Sequence, residues 1–333
     1  MRASVLHAPG DLRVEERPVP APGPGDVLVQ VGSVGSCGSD THYYRHGRIG
    51  DHIVREPLVL GHEAGGVVVG VGAGVAEELL GVRVSVEPGI PCGRCAVCRR
   101  GTYNLCPDVR FFATPPVDGA FCEYVVVPSD FAYAVPDVIS DDAAGLIEPL
   151  SVALWACRKG GVRAGCTVLV AGAGPIGLLV VQVARALGSA EIVVTDVDAR
   201  HRELAVAFGA TATLEPGGSD LVSADVFVDC SGVPAAVMSG VGAVRAGGSA
   251  VLVGMGADEV TLPVTLLQNR EISLTGTFRY SNTWPTAIWL AVRGQVDLDG
   301  LVTGRVDLDH VADALAPDPA DQHVKIMVRP AGV

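Results

Sequence analysis

The feature that most constrains the fold is a glycine triplet, Gly172, Gly174 and Gly177, which lies between two apolar runs. The segment "VLVAGAGPIGLLVV" has strand character before the triplet and helical composition after it. Glycines at this spacing permit a tight turn and let a pyrophosphate approach the free amides at the start of a helix. The pattern predicts a dinucleotide-binding strand–turn–helix unit; a turn needed only for helix–strand packing is the alternative.

An acidic residue follows at the position that this unit requires. Asp196 ends the next strand-like segment, nineteen residues after Gly177. A carboxylate there can accept hydrogen bonds from the ribose 2′-OH of NAD and repels the 2′-phosphate of NADP. We therefore expect NAD as the cofactor, although Arg200 and Arg202, just beyond, leave some use of NADP open.

The second half of the chain alternates between strand-like and helix-like segments, which predicts a doubly wound parallel sheet with helices on both faces. A small-residue helix is expected through Val237 and Val244. Only about ten residues separate Leu214 from Asp225, so the crossover helix there is expected to be short or missing. The predicted strands are 167–171, 191–196, 225–230 and 250–255, and a helix is predicted over 178–188.

Residues 1–150 show a different pattern, with short valine-rich runs broken by Gly and Pro. Such runs are typical of a largely antiparallel, barrel-like domain. A chain of 333 residues with 49% hydrophobic residues can build the cores of two domains. We place the boundary near 149–161, where a helix candidate contains Trp155.

Charge and the N-terminus exclude several classes of partner. The net charge is −13, from 37 acidic and 24 basic residues without long blocks of one sign, which argues against nucleic acid and anionic membranes. The first residues lack the apolar core of a secretory signal, and glycines interrupt the most apolar later segment, 167–184. We expect a cytoplasmic protein that handles a small molecule.

Four of the nine cysteines lie in one short segment, "CGRCAVCRRGTYNLC". Cys92, Cys95, Cys98 and Cys106 provide two C-x2-C steps and a fourth thiol, a spacing that favours a closed, tetrahedral structural zinc. An iron–sulfur cluster is the alternative, but the spacing differs from that of the ferredoxins.

A second set of metal-binding residue types is spread over the first half of the chain. Cys37, His62, Glu63 and Glu148 could supply a thiolate, an imidazole and a carboxylate to a zinc ion that keeps a fourth position open, the arrangement of a catalytic site. Spacing alone does not bring them together: Cys37 and His62 could be ordinary core residues, and Glu63 a solvated loop charge.

At these residues the sequence resembles the zinc-dependent medium-chain alcohol dehydrogenases, and within them the polyol dehydrogenases. The resemblance covers nearly the whole chain. It rests on the segments 37–51, 59–66, 111–121, 146–162, 168–177 and 276–285, together with the four-cysteine segment.

The resemblance implies a GroES-like catalytic domain over residues 1–150, completed by 279–333, and a Rossmann NAD-binding domain over 151–278. It further implies that Cys37, His62 and Glu63 hold the catalytic zinc, with Glu148 bound to the zinc-bound water or replacing it. Whether Glu63 or Glu148 is the third ligand can depend on the catalytic state; Glu63 is favoured.

Further roles are also implied by the resemblance. Ser39 would bond to the reacting oxygen, and His42 would relay protons. The polyol pocket would contain Tyr43, Phe112, Arg279 and Tyr280, and the cofactor would be bound by Gly172, Gly174, Pro175, Ile176, Gly177, Asp196 and His201.

The expected function is the reversible oxidation of a secondary hydroxyl of a polyol to a ketose with NAD, in a homo-oligomer for which a tetramer is favoured. His52 stands where the family's sorbitol enzymes often have an aromatic residue, which leaves the individual polyol open. A zinc dehydrogenase acting on threonine, a butanediol or a simple alcohol is the alternative, and a non-catalytic nucleotide-sensing protein is another.

Overall fold

The computed structural model describes residues 1–217, 222–318 and 322–332. In these ranges the strands are β1 (Arg2–Ala8), β2 (Asp11–Glu16), β3 (Asp26–Gly35), β4 (Arg48–Ile49), β5 (His52–Ile53), β6 (Leu58–Val59), β7 (Glu63–Val71), β8 (Arg83–Val86), β9 (Gly89–Ile90), β10 (Arg110–Phe111), β11 (Tyr124–Pro128), β12 (Ala132–Ala134), β13 (Thr167–Ala171), β14 (Glu191–Thr195), β15 (Ala212–Leu214), β16 (Ala224–Asp229), β17 (Val244–Leu252), β18 (Ser273–Gly276), β19 (Val302–Val306) and β20 (Lys325–Val328). The α-helices are α1 (Gly38–His46), α2 (Ala96–Arg99), α3 (Asp141–Gly160), α4 (Pro175–Ala186), α5 (Ala199–Ala207), α6 (Pro234–Ala243), α7 (Val264–Asn269), α8 (Trp284–Val292) and α9 (Val311–Leu315).

Contacts divide the chain into unit 1, Met1–Glu148 with Leu298–Val333, and unit 2, Pro149–Asp297. The sequence places residues 279–297 with the catalytic domain, whereas these contacts place them with unit 2. The reason is local: Gln182 on α4 donates to the carbonyl of Asp297 (3.2 Å), and Arg158 on α3 donates to Thr286 (2.8 Å). The functional domain boundaries themselves stay a prediction.

Unit 1 is mainly β, and β3 organises its largest sheet. Val27, Val29 and Val31 alternate with less buried residues along β3, so one face packs into the core. β3 pairs antiparallel with β7, β11 and β20, and β20 pairs parallel with β19, so the C-terminal segment completes this sheet. The predicted, mostly antiparallel domain is confirmed.

Unit 2 contains a parallel sheet in the order β15-β14-β13-β16-β17-β18. This is the doubly wound order, in which the first strand, β13, is central and later strands are added on its other side, so that the strand order reverses there. α4 follows β13 directly, with residues 177–184 buried. The predicted fold class is confirmed.

One detail differs from the sequence predictions, whereas the described residues of the short crossover agree with them. α6 ends at Ala243, and Val244 begins β17 instead of continuing the helix, because Val244 pairs with Ala224 of β16. Around the short crossover, residues 215–217 and 222–223 are not helical, while 218–221 lie outside the described residues. In the described ranges, no helix is both long and apolar enough to cross a membrane.

Candidate active site

Cys37 lies where β3 ends and α1 begins. Its backbone is extended (φ −114°, ψ 152°) and it forms the N-cap of α1. The Asp40 carboxylate accepts a hydrogen bond from the Cys37 amide at 3.3 Å, while the Cys37 sulfur faces the amide of Asp40, which forms a capping box. The sulfur therefore lies beside the free backbone amides at the start of α1.

Asp40 also connects α1 to His62. Its Oδ1 accepts a hydrogen bond from the Gly61 amide (3.0 Å) and lies 3.4 Å from His62 Nδ1, with the Asp40 side chain fully buried. Burial alone would lower the pKa of His62, but the Asp40 carboxylate and the Cys37 sulfur raise it well above its usual value. Asp40 thus orients the imidazole, a role that our sequence prediction did not include.

Glu63 begins β7 and is 1% exposed. Lys325, on β20, donates a hydrogen bond from Nζ to Oε1 at 2.7 Å and lies 2.5 Å from Oε2. Burial alone would lower the pKa of Lys325, but the charge of Glu63 and the neighbouring Cys37 outweigh it and raise the pKa. Lys325 is a second residue that the sequence prediction missed.

Cys37, His62 and Glu63 converge into one cluster, with a ligand atom from each within 4.8 Å of the others. Zinc bonds of about 2.0–2.3 Å to sulfur, nitrogen and oxygen can span such a cluster. Glu63 Oε2 is buried and lies 2.5 Å from Lys325 Nζ, so the carboxylate is held in place beside the other two side chains. The donor set therefore fits zinc with one position left open.

Glu148 is not part of this three-residue cluster. It is 5% exposed, lies on α3, and is close enough to Lys325 for its charge to help raise the pKa of that residue.

The helix that carries Glu148, α3, packs closely against β7. A Cβ on Gly65 would lie 2.6 Å from the Cβ of Ala144, and a Cβ on Gly145 would lie 2.7 Å from the Glu63 carbonyl oxygen. Both glycines are therefore required for this approach.

The sulfur atoms of the four-cysteine segment lie within 4.8 Å of one another. Cys95 Sγ is 3.3 Å from Cys98 Sγ and 3.9 Å from Cys106 Sγ, near the roughly 3.8 Å edge of a tetrahedron with Zn–S bonds of about 2.3 Å. Backbone amides of Arg94 and Cys95 lower the pKa of Cys92 to about 7. This cluster has the geometry of a closed structural zinc site.

The other predicted residues of unit 1 lie on α1 or in the core. Ser39 is half-buried and His42 is exposed, both on α1. Tyr43 and Phe112 are buried in the unit 1 core, at 4% and 6% exposed.

The two predicted polyol-pocket residues of unit 2 follow β18. Arg279 has a positive φ of 56°, and its guanidinium carbon lies 4.6 Å from the centre of the Phe278 ring. Tyr280 is 2% exposed and contacts the Trp284 ring edge-to-face at 4.9 Å. Much of the Tyr280 ring thus serves packing.

The glycine triplet forms the predicted turn between β13 and α4. Gly172 has a φ of 91°, and a Cβ on Gly177 would lie 1.9 Å from the Gly172 carbonyl oxygen, so both positions require glycine. Gly174 is the N-cap of α4, with Pro175 at the first helical position and Ile176 after it. The amides at this helix start are suited to a pyrophosphate.

Asp196 connects this turn to the next strand. Its Oδ2 accepts a hydrogen bond from the backbone amide of Ala173 (2.7 Å), and its Oδ1 accepts one from the backbone amide of Asp198 (2.8 Å). His201 Nδ1 lies 3.6 Å from Oδ2. Beside Asp196, a largely apolar cavity of about 390 Å³ extends past Gly172, Phe227 and residues 231–240, and its size and lining suit an adenosine.

Known proteins share both the sequence and the fold. The chain matches the family model of the alcohol dehydrogenase GroES-like domain over residues 23–137 and that of the zinc-binding dehydrogenases over 175–293. It is 43% identical to sorbitol dehydrogenase from Gallus gallus, over 98% of this chain and 96% of that one.

Solved structures agree. An alcohol dehydrogenase from Escherichia coli CFT073 with bound NADH has a TM-score of 0.92 and 30% identity, covering 99% of both chains. A relative from Sinorhizobium meliloti 1021 with bound NADP has a TM-score of 0.91 and 33% identity, also covering 99% of both.

The chain therefore belongs to the zinc-dependent medium-chain alcohol dehydrogenases, on the branch that contains the sorbitol dehydrogenases. It is an oxidoreductase whose cofactors are NAD and zinc, as the sequence predicted.

Proposed function

We propose that this enzyme reversibly oxidises a secondary hydroxyl of a polyol to a ketose with NAD. The observation that carries the proposal is the convergence of Cys37, His62 and Glu63, in a chain whose relatives over its full length include sorbitol dehydrogenases. A thiolate, an imidazole and a carboxylate leave one position for a hydroxyl, as a catalytic metal site requires. Unit 1 would be the catalytic domain and unit 2 the NAD-binding domain.

Cys37, His62 and Glu63 would hold the catalytic zinc, and Cys92, Cys95, Cys98 and Cys106 the structural one. When bound, the catalytic ion supplies a Lewis acid that lowers the pKa of a hydroxyl, and NAD accepts the hydride.

The protein's own residues orient the site and move the proton. Asp40 fixes the His62 ring by facing Nδ1. Ser39 would accept the hydroxyl proton as it releases its own towards His42, which lies one helical turn further on α1, is exposed, and would pass a proton to solvent. Glu148, buried on α3, would supply an additional acceptor for the substrate hydroxyl or for water.

Substrate preference would depend on hydroxyl groups next to the reacting carbon. The Arg279 guanidinium carries N–H donors that can bind the additional hydroxyl groups of a polyol, which a simple alcohol lacks. Tyr43, Phe112 and Tyr280 would add apolar surface and, for the tyrosines, a hydroxyl group. This favours polyols over threonine, butanediols or simple alcohols.

A substrate panel tests the function directly. We expect NADH formation from sorbitol, xylitol or ribitol with a kcat/KM at least about tenfold above that for ethanol, 2,3-butanediol or threonine, because a hydrogen bond to a charged group contributes roughly 1.5–3 kcal/mol. Metal chelation should abolish the activity, and added zinc should restore it. A preference for threonine, butanediol or ethanol would contradict the proposal.

Cofactor selection should depend on Asp196. Asp196→Ala is expected to lower the ratio of kcat/KM for NAD to that for NADP by roughly ten- to a hundredfold, since a charge-assisted hydrogen bond of about 1.5–3 kcal/mol is lost. Asp198→Ser is a matched control two residues away, because its cap on α5 is retained and the ratio should not change. An unchanged ratio in Asp196→Ala would remove Asp196 from this role.

We further propose a cytoplasmic homo-oligomer, with a tetramer favoured, that has no nucleic-acid or membrane partner. The acidic balance, with a net charge of −13, supports the absence of polyanionic partners. Light scattering during size-exclusion chromatography gives the number of subunits, and a monomer would contradict this proposal.

A further inference from the structure

Lys325 is unusual in the composition of the chain. The sequence has 22 arginines and two lysines, Lys159 and Lys325. Lys159 is exposed on α3, as basic residues normally are, whereas Lys325 is 4% exposed. A buried ammonium needs compensating partners, so its neighbours indicate what it does.

The neighbours of Lys325 belong to the proposed metal site. Its Nζ contacts both Glu63 oxygens, at 2.7 and 2.5 Å, and donates to the Ser36 carbonyl oxygen at 2.7 Å. Ser36 directly precedes Cys37, so the ammonium lies between the backbone leading to one proposed ligand and the carboxylate of another.

The space around this ion pair is closely fitted. A Cβ on Gly35 would lie 2.0 Å from Glu63 Oε2 and 3.0 Å from Lys325 Cε, so the pair occupies the volume above a glycine. A guanidinium is larger than an ammonium and planar, which gives a physical reason for lysine in a chain that otherwise uses arginine.

The ion pair between Lys325 and Glu63 changes the net charge around the proposed zinc ion. A zinc ion held by the Cys37 thiolate and the Glu63 carboxylate would have no net charge together with its ligands, and each anionic ligand weakens its action on a hydroxyl. One further positive charge in contact with Glu63 restores a net charge of +1. The same charge repels the ion and competes for the carboxylate.

We propose that Lys325 is a positioning residue that acts as a resident cation of the metal site. Without zinc it neutralises Glu63 and keeps the carboxylate in place; with zinc it weakens metal binding and preserves the Lewis acidity of the ion. This inference rests on the proposed function, because it assumes that Glu63 is a ligand of the catalytic zinc.

The test compares zinc affinity with turnover in Lys325→Met, which removes the charge and keeps most of the length. Competition with a chelating indicator should give a zinc dissociation constant for the site roughly tenfold lower than in the wild type, because a nearby repulsive charge is removed. The kcat for polyol oxidation should fall roughly tenfold. Lys159→Met, the matched control, should change neither quantity.

The direction of the affinity change separates this role from a merely structural one. A damaged site would bind zinc more weakly, so weaker or unchanged binding in folded Lys325→Met overturns the inference. If the inference fails but the wild type binds zinc and oxidises polyols, the proposed function still stands. If zinc binding by the wild type does not depend on Cys37 and His62, the inference and the proposed function both fail.

A second measurement uses the wild type, in case Lys325→Met does not fold. Protein labelled with [15N]lysine has two side-chain ammonium signals, which Lys159→Met assigns. Adding zinc to metal-free protein should shift the Lys325 signal and leave the Lys159 signal in place. An unshifted Lys325 signal at full zinc occupancy would contradict the inference.

Discussion

Replacing His62 with alanine is expected to reduce kcat by about 10³-fold while NAD binding stays intact. The imidazole is one of three converging ligand atoms in unit 1, and Lewis-acid stabilisation is worth several kcal/mol, at about 1.4 kcal/mol per tenfold in rate. The glycine turn, Asp196 and the apolar cavity all lie in unit 2, at residues distant in sequence. Turnover with saturating polyol and NADH binding by fluorescence would be measured on the same preparation.

His310→Ala is a matched control for this variant. His310 also faces an aspartate, with Nδ1 2.6 Å from Asp307 Oδ1, but it is exposed and lies outside the metal clusters. Its removal should leave kcat within about twofold, since surface substitutions of this kind change little. Wild-type turnover in His62→Ala would refute the assignment of the catalytic metal to this cluster.

Replacing Cys95 with serine is expected to cost stability and leave the chemistry of the folded fraction unchanged. The cysteine segment contains only the short helix α2 and one 3-10 turn, Tyr103–Leu105, so a bound ion contributes much of its order. Loss of a structural metal is among the changes that lower the free energy of unfolding most, here by on the order of 3–5 kcal/mol. Denaturant unfolding would measure the loss, and elemental analysis should show zinc falling from two per chain to one.

Cys122→Ser is the control for the zinc count. Cys122 is buried in unit 1, and its sulfur donates to the Tyr124 carbonyl oxygen at 3.3 Å, outside both clusters. This variant should keep two zinc ions per chain even if it loses some stability. Selective loss of turnover in Cys95→Ser at full stability would contradict a structural role for the segment.

The dinucleotide unit could be predicted from the sequence because its determinants are local. Gly172 and Gly177 lie on one turn, and their requirement for glycine follows from a φ of 91° and a 1.9 Å approach within five residues. The four-cysteine segment is equally local, with all ligands inside fifteen residues. In both cases spacing along the chain already determines distance in space.

The remainder of the active site depends on tertiary pairing that spacing does not encode. Glu63 meets Lys325 because β3 pairs with both β7 and β20, which brings together residues 262 positions apart. Asp40 could have been found from its position three residues after an N-cap, but a capping role alone would not have indicated His62. The ligands of the proposed metal site were predicted from the resemblance to a family. The residues around them could be identified only from the strand pairing in the structure.

The place of β20 in the sheet determines when the metal site can assemble during synthesis. Unit 2 has its six-stranded sheet within residues 167–276, one continuous stretch of chain, so all of its strands are synthesised before β20. In contrast, β3 is translated early and remains without its β20 neighbour until residue 328 has emerged. A nascent chain would thus carry Glu63 without its ammonium partner for most of translation, and the ion pair closes only in the final steps.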